Sequence, residues 1–327
     1  MNILLTGCAG FIGSHVLDRL LNDGHQVVGI DNFAPDYPRA IKEQNIAQHC
    51  CGKTATSTFT LLEADLTNKA TFTELDQQGF DSFDAIIHLA DRGSDRASID
   101  DPAGYLQSNV VSTQNLLEYA KDHEIPHFIH ASSNSVYGLN SNTPWLESET
   151  DLEPISPYAL TKINSEQLGH TYSQLYDIRV LALRLPTIYG PRQRPDQAIY
   201  KFTHNIIEGE TILMHGEGDT LRDYTHVDDI VDGIIAALHY NDTRHEIINL
   251  GNTRTVEFQE MVAQLEQTLG VQSNIEQLPE LKGDVPLTLP SIEKAARLLG
   301  YTPSIPFEAG ITDFVKWMYD TNPTCTA

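Results

Sequence analysis

Cysteine and positive charge are both scarce in this 327-residue chain. The four cysteines are Cys8, Cys50, Cys51 and Cys325. They do not form a disulfide framework, and adjacent Cys50-Cys51 lacks the separation of zinc ligands. The 13 histidines are scattered without metal-ligand spacing, so no metal is expected. His88 and His130 read as packed or hydrogen-bonded residues at strand ends. Lysine and arginine total 21 against 45 acidic residues, a formal charge of −24. That balance excludes general binding to nucleic acid or to an anionic membrane surface. Long hydrophobic runs are also missing: Asn2 to Thr6 is too short for a signal peptide or a membrane span. The expectation is a reduced, cytoplasmic protein that touches neither membrane nor nucleic acid. There is no internal repeat or low-complexity tract, and the length suits one α/β unit plus a smaller lobe.

The start of the chain reads as strand, glycine turn, helix. After Asn2–Thr6 comes Gly7-Cys8-Ala9-Gly10-Phe11-Ile12-Gly13, and then a helical pattern through Leu17, Leu20 and Leu21. Glycines let the backbone turn tightly and approach a pyrophosphate seated at a helix N-terminus. The spacing is Gly-x-x-Gly-x-x-Gly, which differs from the Gly-x-Gly-x-x-Gly of most two-domain dehydrogenases. Gln26 to Ile30 reads as the next strand and Asp31 ends it. An acidic residue about twenty positions past the glycines can accept the ribose hydroxyls of NAD, and its charge would repel the 2′-phosphate of NADP. Further strands are expected at Phe59–Leu62, Ala85–Leu89 and His127–Ala131. Helices are expected near Lys69–Gln77 and Pro102–Asp122. This alternation predicts an α/β fold, a Rossmann-like doubly wound parallel sheet with helices on both faces.

Ser156-Pro157-Tyr158-Ala159-Leu160-Thr161-Lys162 carries the chemistry. Positions i and i+4 share a helix face, which brings the Lys162 ammonium near the Tyr158 phenol. A free phenol titrates near pH ~10, and a neighbouring cation favours its anion. Pro157 suits a first helical turn. Upstream, Ser132-Ser133-Asn134-Ser135 offers Ser133 as a partner for the oxygen that Tyr158 deprotonates.

Taken together these segments resemble the extended short-chain dehydrogenase/reductase superfamily, and within it the nucleotide-sugar epimerases. The likeness extends over Ala64-Asp65-Leu66, His88-Leu89-Ala90, Ser132 to Gly138, Arg184 to Asp196 and Arg222 to Asp229, nearly the whole chain. Gly190-Pro191-Arg192-Gln193-Arg194-Pro195-Asp196, Gly283-Asp284-Val285-Pro286 and Leu299-Gly300-Tyr301-Thr302-Pro303 are most similar to the UDP-glucuronate 4-epimerases.

The resemblance implies a tightly bound, recycled NAD and a UDP-sugar substrate. Residues 1–185 would form the NAD-binding domain and 186–327 the sugar-nucleotide lobe, with the chain crossing back near 223–250. Besides Gly7, Gly10, Phe11, Ile12, Gly13, Asp31 and Asn32, the cofactor would meet Asp65 and Leu66 at the adenine. Leu89 and Ala90 would lie along the pyrophosphate and nicotinamide, and Asn109 would support the pocket. Tyr158 would be the base, Lys162 would hold the nicotinamide ribose and Ser133 would assist proton transfer. A homodimer through Pro102–Asp122 and Pro157–Tyr176 is implied as well.

Four arginines, Arg184, Arg192, Arg194 and Arg222, cluster in an otherwise acidic chain, and guanidinium groups pair with phosphates and carboxylates. Arg222 is assigned to the diphosphate and Arg194 to a sugar carboxylate, with Arg192 open to either. Arg96 matches a family arginine.

The residues after the catalytic serine separate the reactions that begin with oxidation at C4. In 4,6-dehydratases an Asp-Glu pair follows, and in UDP-glucuronate decarboxylases a glutamate. Here Asn134 and Ser135 stand there, and neither is a carboxylate acid or base. A 4-keto uronate loses CO2 readily when its carboxylate bond aligns with the carbonyl π system. Asn134, Ser135 and Thr187 would hold it out of alignment as neutral donors. The expected activity is thus 4-epimerisation of UDP-glucuronate. UDP-glucose or UDP-N-acetylglucosamine 4-epimerisation, decarboxylation and an inactive NAD-sensing scaffold remain as alternatives.

Three positions depart from the family pattern. Asn134 replaces the serine most common there, Pro186 replaces a frequent aromatic, and Leu281 stands where an arginine is usual. The loop Asp91-Arg92-Gly93-Ser94-Asp95-Arg96 is unusually charged, and Asp91 and Asp95 would repel an anionic sugar if they faced it.

Overall fold

The apolar runs of the first half build consecutive strands and helices. In order these are β1 (Asn2–Thr6), α1 (Phe11–Asn22), β2 (Gln26–Asp31), α2 (Arg39–Cys50), β3 (Phe59–Glu63), α3 (Ala70–Gln77) and β4 (Ala85–His88). Next come α4 (Asp95–Asp100), α5 (Pro102–Tyr105), a π-helical stretch over Leu106–Val111, α6 (Ser112–Asp122), β5 (His127–Ser133), α7 (Pro157–Leu175) and β6 (Arg179–Leu185). The second half adds β7 (Thr187–Tyr189), α8 (Ala198–Glu208), β8 (Thr211–His215), β9 (Leu221–His226), α9 (Val227–His239) and β10 (His245–Asn249). It closes with β11 (Thr255–Glu257), α10 (Phe258–Leu269), β12 (Asn274–Leu278), α11 (Glu293–Leu299) and α12 (Phe307–Thr321). This computed structural model describes residues 1–50, 58–279 and 285–321. Cys51, Cys325, Leu281 and Gly283-Asp284, all singled out above, lie outside the described residues.

Seven strands form one sheet in the order β10-β6-β5-β4-β1-β2-β3. Every pairing in it is parallel. A parallel sheet is covered on both faces, so its strands carry apolar side chains on both sides. Ile3, Leu4 and Leu5 of β1 are fully buried, and so are Ile86 and Ile87 of β4. One face packs on α1 and α9 through Leu17, Leu20, Ile230 and Ile234. The other packs on α6 and α7 through Leu116, Leu117, Ala120 and Tyr172. Each of these buried leucines and isoleucines contributes about 1.5–3 kcal/mol by burial.

The strand order reverses between β1 and its two neighbours, β2 and β4. In open α/β sheets the crevice outside the carboxyl ends of the strands at such a reversal is where ligands bind. The helix over Pro102–Asp122 forms as expected, with a π-helical stretch in its middle. After β6 the chain builds a three-stranded sheet in the order β11-β9-β7 and the parallel pair β12-β8. A third apolar cluster, including Tyr189, Ile199, Met261 and Phe314, holds these together. The chain then returns, because β10 pairs with β6 at the edge of the large sheet. Among the described residues no helix is long and apolar enough to cross a membrane.

Candidate active site

Two cavities lie over the carboxyl ends of the central strands. The first, about 370 Å3, is lined by the glycine turn, Asp31, Asn32, Asp65, Leu66, Leu89 and Ala90. The second, about 310 Å3, is lined by Ser133, Asn134, Ser135, Tyr158, Thr187, Arg194 and Arg222. Phe11, Ile12, Leu89, Asp91, Arg194 and Gln197 line both, so the cavities meet over the start of α1.

The glycine turn is shaped by contact as well as by conformation. Gly7 has φ of 71°, and a Cβ there would sit 2.8 Å from the Ala90 nitrogen. A Cβ on Gly13 would lie 1.9 Å from the Gly7 carbonyl oxygen. Any side chain at either point would displace backbone. Gly10 provides no side-chain cap for α1, which leaves the first-turn N–H groups to other partners. Asp31 Oδ2 accepts from the Ala9 N–H at 3.1 Å and Oδ1 from the Phe33 N–H at 2.8 Å. These bonds fix the carboxylate at the cavity wall. Residues Gly7, Gly10, Phe11, Ile12 and Gly13 line this first cavity too. A glycine cradle, an uncapped helix start and a fixed carboxylate at the next strand end fit a dinucleotide.

Helix α7 begins as its sequence dictates. Ser156 Oγ caps it by accepting from the Ala159 N–H at 3.0 Å, and Pro157 follows in the first turn. Tyr158 and Ser133 share the wall of the second cavity. Ser133 Oγ accepts from the Ser135 N–H at 3.1 Å. Burial pushes the Tyr158 phenol well up; Asp91 and Asp95 add to the rise, while Ser133 and Arg194 oppose it. Lys162 Nζ lies 5.6 Å from the centre of the Tyr158 ring. It donates to the Ala131 carbonyl at 2.8 Å and sits 2.5 Å from Asp91 Oδ2. His88 is held neutral, pushed down to about 3 by burial and by the charge of Lys162. Its two ring nitrogens bond the hydroxyls of Thr6 and Thr113 at 2.7 and 3.1 Å.

Most residues singled out in the sequence converge here. Asn109 stands behind the first cavity: its Oδ1 accepts from the Arg92 N–H and its Nδ2 donates to the Arg92 carbonyl and to Thr161. That supports the pocket without lining it. Asn134 is buried, and among the described residues neither its Oδ1 nor its Nδ2 has a hydrogen-bond partner. An amide left so at a cavity wall is ready to bind a polar ligand.

Four expectations need correction. Arg192 is not brought to the sugar cavity. Its backbone is left-handed, φ 65°, and its guanidinium donates to Asp18 Oδ2 on α1 at 2.6 Å. Arg96 is exposed on α4 and lines neither cavity. Arg184 is not an anion-binding arginine; it is fully interior, with Nε and Nη2 each 2.8 Å from a Glu166 oxygen. Ser135 reaches the cavity, but its hydroxyl donates to Asp95 Oδ2 at 2.9 Å. Arg194 lines both cavities while also paired with Asp196 at 2.7 and 3.0 Å.

Sequence reasoning missed Tyr37, Lys42 and Gln197, which line the first cavity. Gln197 directly follows the Gly190–Asp196 segment, so proximity could have found it. Asp91 and Asp95 carried a signal, their odd charge, and the structure places both at the second cavity.

Comparisons with known proteins agree with this geometry. The family model for the NAD dependent epimerase/dehydratase family matches residues 3–251. A probable UDP-glucuronate 4-epimerase of Rhizobium meliloti is 36% identical over 98% of this chain and 98% of its own. Among solved structures, the UDP-glucuronic acid 4-epimerase of Bacillus cereus in complex with UDP-glucuronic acid and NAD superposes with a TM-score of 0.88. It is 33% identical, covering 98% of this chain and 100% of that one. The UDP-glucose 4-epimerase of Thermotoga maritima, solved with UDP-glucose, gives 0.86 at 28% identity, over 98% and 99% of the two chains.

Proposed function

The chain belongs to the NAD-dependent epimerase/dehydratase family, and we propose that it is a UDP-sugar 4-epimerase that interconverts UDP-glucuronate and UDP-galacturonate. The observation that carries this reading is that Tyr158 and Ser133 share the wall of the second cavity, which meets the dinucleotide cavity at Leu89 and Asp91. NAD, held by the glycine turn, Asp31, Asn32, Asp65, Leu66, Leu89 and Ala90, supplies a reversible hydride acceptor when bound.

The chain's own residues do the rest. Tyr158 Oη takes the proton of the sugar 4-hydroxyl as the carbonyl forms and returns it after the keto sugar has turned over. The Ser133 hydroxyl, on the same cavity wall, assists that proton transfer. The Lys162 ammonium, fixed by Ala131 and Asp91, would hold the nicotinamide ribose. Arg222 serves the diphosphate. The unpartnered Asn134 amide and Thr187 hold the uronate carboxylate, with Arg194 beside them. These donors hold the carboxylate bond out of alignment with the C4 carbonyl π system, which favours epimerisation over loss of CO2.

One observation favours a neutral sugar as the second reading. Arg194 is already paired with Asp196, and Asp95 faces the cavity. The test is to offer UDP-glucuronate, UDP-glucose and UDP-N-acetylglucosamine separately and resolve the products by anion exchange. Fastest turnover of UDP-glucuronate is expected; faster turnover of a neutral sugar refutes the uronate assignment.

A homodimer is part of the proposal, supported by Leu106 and Leu160, which are exposed on the helices implied for the interface. Nucleotide-sugar supply for polysaccharide synthesis in the cytoplasm is the corresponding setting.

A further inference from the structure

Every charged group around Tyr158 bears on how readily it gives up its proton. Lys162 comes from its own helix, Asp91 from the loop after β4, Asp95 from α4 and Arg194 from the loop after β7. Tyr105 of α5 meets it edge-on, with ring centres 6.3 Å apart. Arg194 is matched by Asp196. Asp95 is held by the hydroxyls of Ser135 and Ser156 at 2.9 and 2.5 Å. Among the described residues, Asp91 alone of the carboxylates near the phenol meets the catalytic lysine directly, at 2.5 Å.

The backbone on both sides of Asp91 is pinned. The Ala90 N–H donates to Thr6 Oγ1 at 3.2 Å, and the Arg92 N–H donates to Asn109 Oδ1 at 2.9 Å. The carboxylate is therefore delivered to Lys162 by a fixed loop. It lines both cavities, at their junction.

We propose that Asp91 is a positioning residue for the reaction: it anchors the Lys162 ammonium and offsets its charge, so that deprotonation of Tyr158 is governed by the Asp91–Lys162 pair rather than by the lysine alone. A lone ammonium would pull the phenol's titration down, and a matched pair pulls far less. The rise that Asp91 causes at Tyr158 agrees in sign. The consequence is a base that works toward the alkaline side.

The inference rests on the reading of Tyr158 as the base. Its test uses the holoenzyme with bound cofactor and two readouts. One is the acid limb of log kcat against pH; the other is the near-ultraviolet titration of Tyr158, read as a difference from Tyr158→Phe without sugar. Asp91→Asn is expected to move both to lower pH by ~1–2 units. Asp91→Glu, which keeps a carboxylate, is expected to stay close to the parent. Asp91→Ala supplies the same comparison if the asparagine variant folds poorly. A limb and titration that stay in place in both Asn and Ala variants overturn the proposal, whatever happens to the size of kcat. So does an upward shift. Because the absorbance titration needs no sugar, that failure is distinct from failure of the epimerase reading, which would appear as no turnover of any UDP-sugar.

Discussion

Glu166→Ala removes one side of the most buried ion pair at the site. Arg184 and Glu166 are 2% and 1% exposed, joined by two parallel bonds of 2.8 Å. Ser132 Oγ donates a third bond to Glu166 Oε1 at 2.5 Å, and the guanidinium rests 4.7 Å from the Tyr137 ring centre. The pair thereby ties β6 to α7 and both to the end of β5, the segments that carry Lys162 and Ser133. Stripping the carboxylate leaves an uncompensated interior cation, which costs about 3–5 kcal/mol. The Ser132 hydroxyl loses its acceptor for roughly 1 kcal/mol more. The sum is about 4–6 kcal/mol, comparable with the ~5–15 kcal/mol total stability of a typical domain. Urea unfolding followed by circular dichroism reads the loss directly. The double variant Glu166→Leu with Arg184→Met removes both charges and is expected to recover most of it, leaving ~1–2 kcal/mol. A single variant that loses less than about 1 kcal/mol, or a double variant as unstable as the single, refutes the argument.

The remaining predictions concern cofactor, base and pH. Gly13→Ala places a Cβ 1.9 Å from the Gly7 oxygen; the purified protein is expected to lose its bound NAD, measured by absorbance after denaturation. Tyr158→Phe should lower kcat by more than about 100-fold, the usual contribution of a general base, while NAD stays bound. Asp223 is fully buried, and burial pushes its carboxyl up to about 7. Its folded pKa lies above its unfolded one, so its contribution to stability declines as pH rises from ~4 to ~7. Asp223→Asn is expected to gain stability relative to the parent at pH 8 but not at pH 4, by a few kcal/mol at most, in paired urea melts. Equal effects at both pH values would contradict this.

The local features of this fold were legible in the sequence, and the long-range pairings were not. Strand-glycine-helix patterning located β1 and α1, and alternation with helices gave the parallel sheet. The i, i+4 spacing placed Tyr158 and Lys162 on one face, and Ser156-Pro157 marked the start of α7. These signals are carried within a few residues, by side-chain periodicity and capping chemistry. The errors concern partners distant in the chain. Arg184 and Arg192 read as ligand-binding cations because Glu166 and Asp18 have no recognisable sequence relation to them. Ser135 read as a free donor because nothing in the local sequence brings Asp95 beside it. Even so, the unusually charged loop after Leu89 stood out by composition, and it is the loop that meets Lys162.

The most direct test of the account uses UDP-glucuronate carrying deuterium at C4, turned over in ordinary water and followed by proton NMR. Oxidation and return at C4 within one closed site predicts UDP-galacturonate with the deuterium kept at the inverted C4. Solvent hydrogen at that carbon, release of CO2 with a pentose product, or no conversion would contradict it.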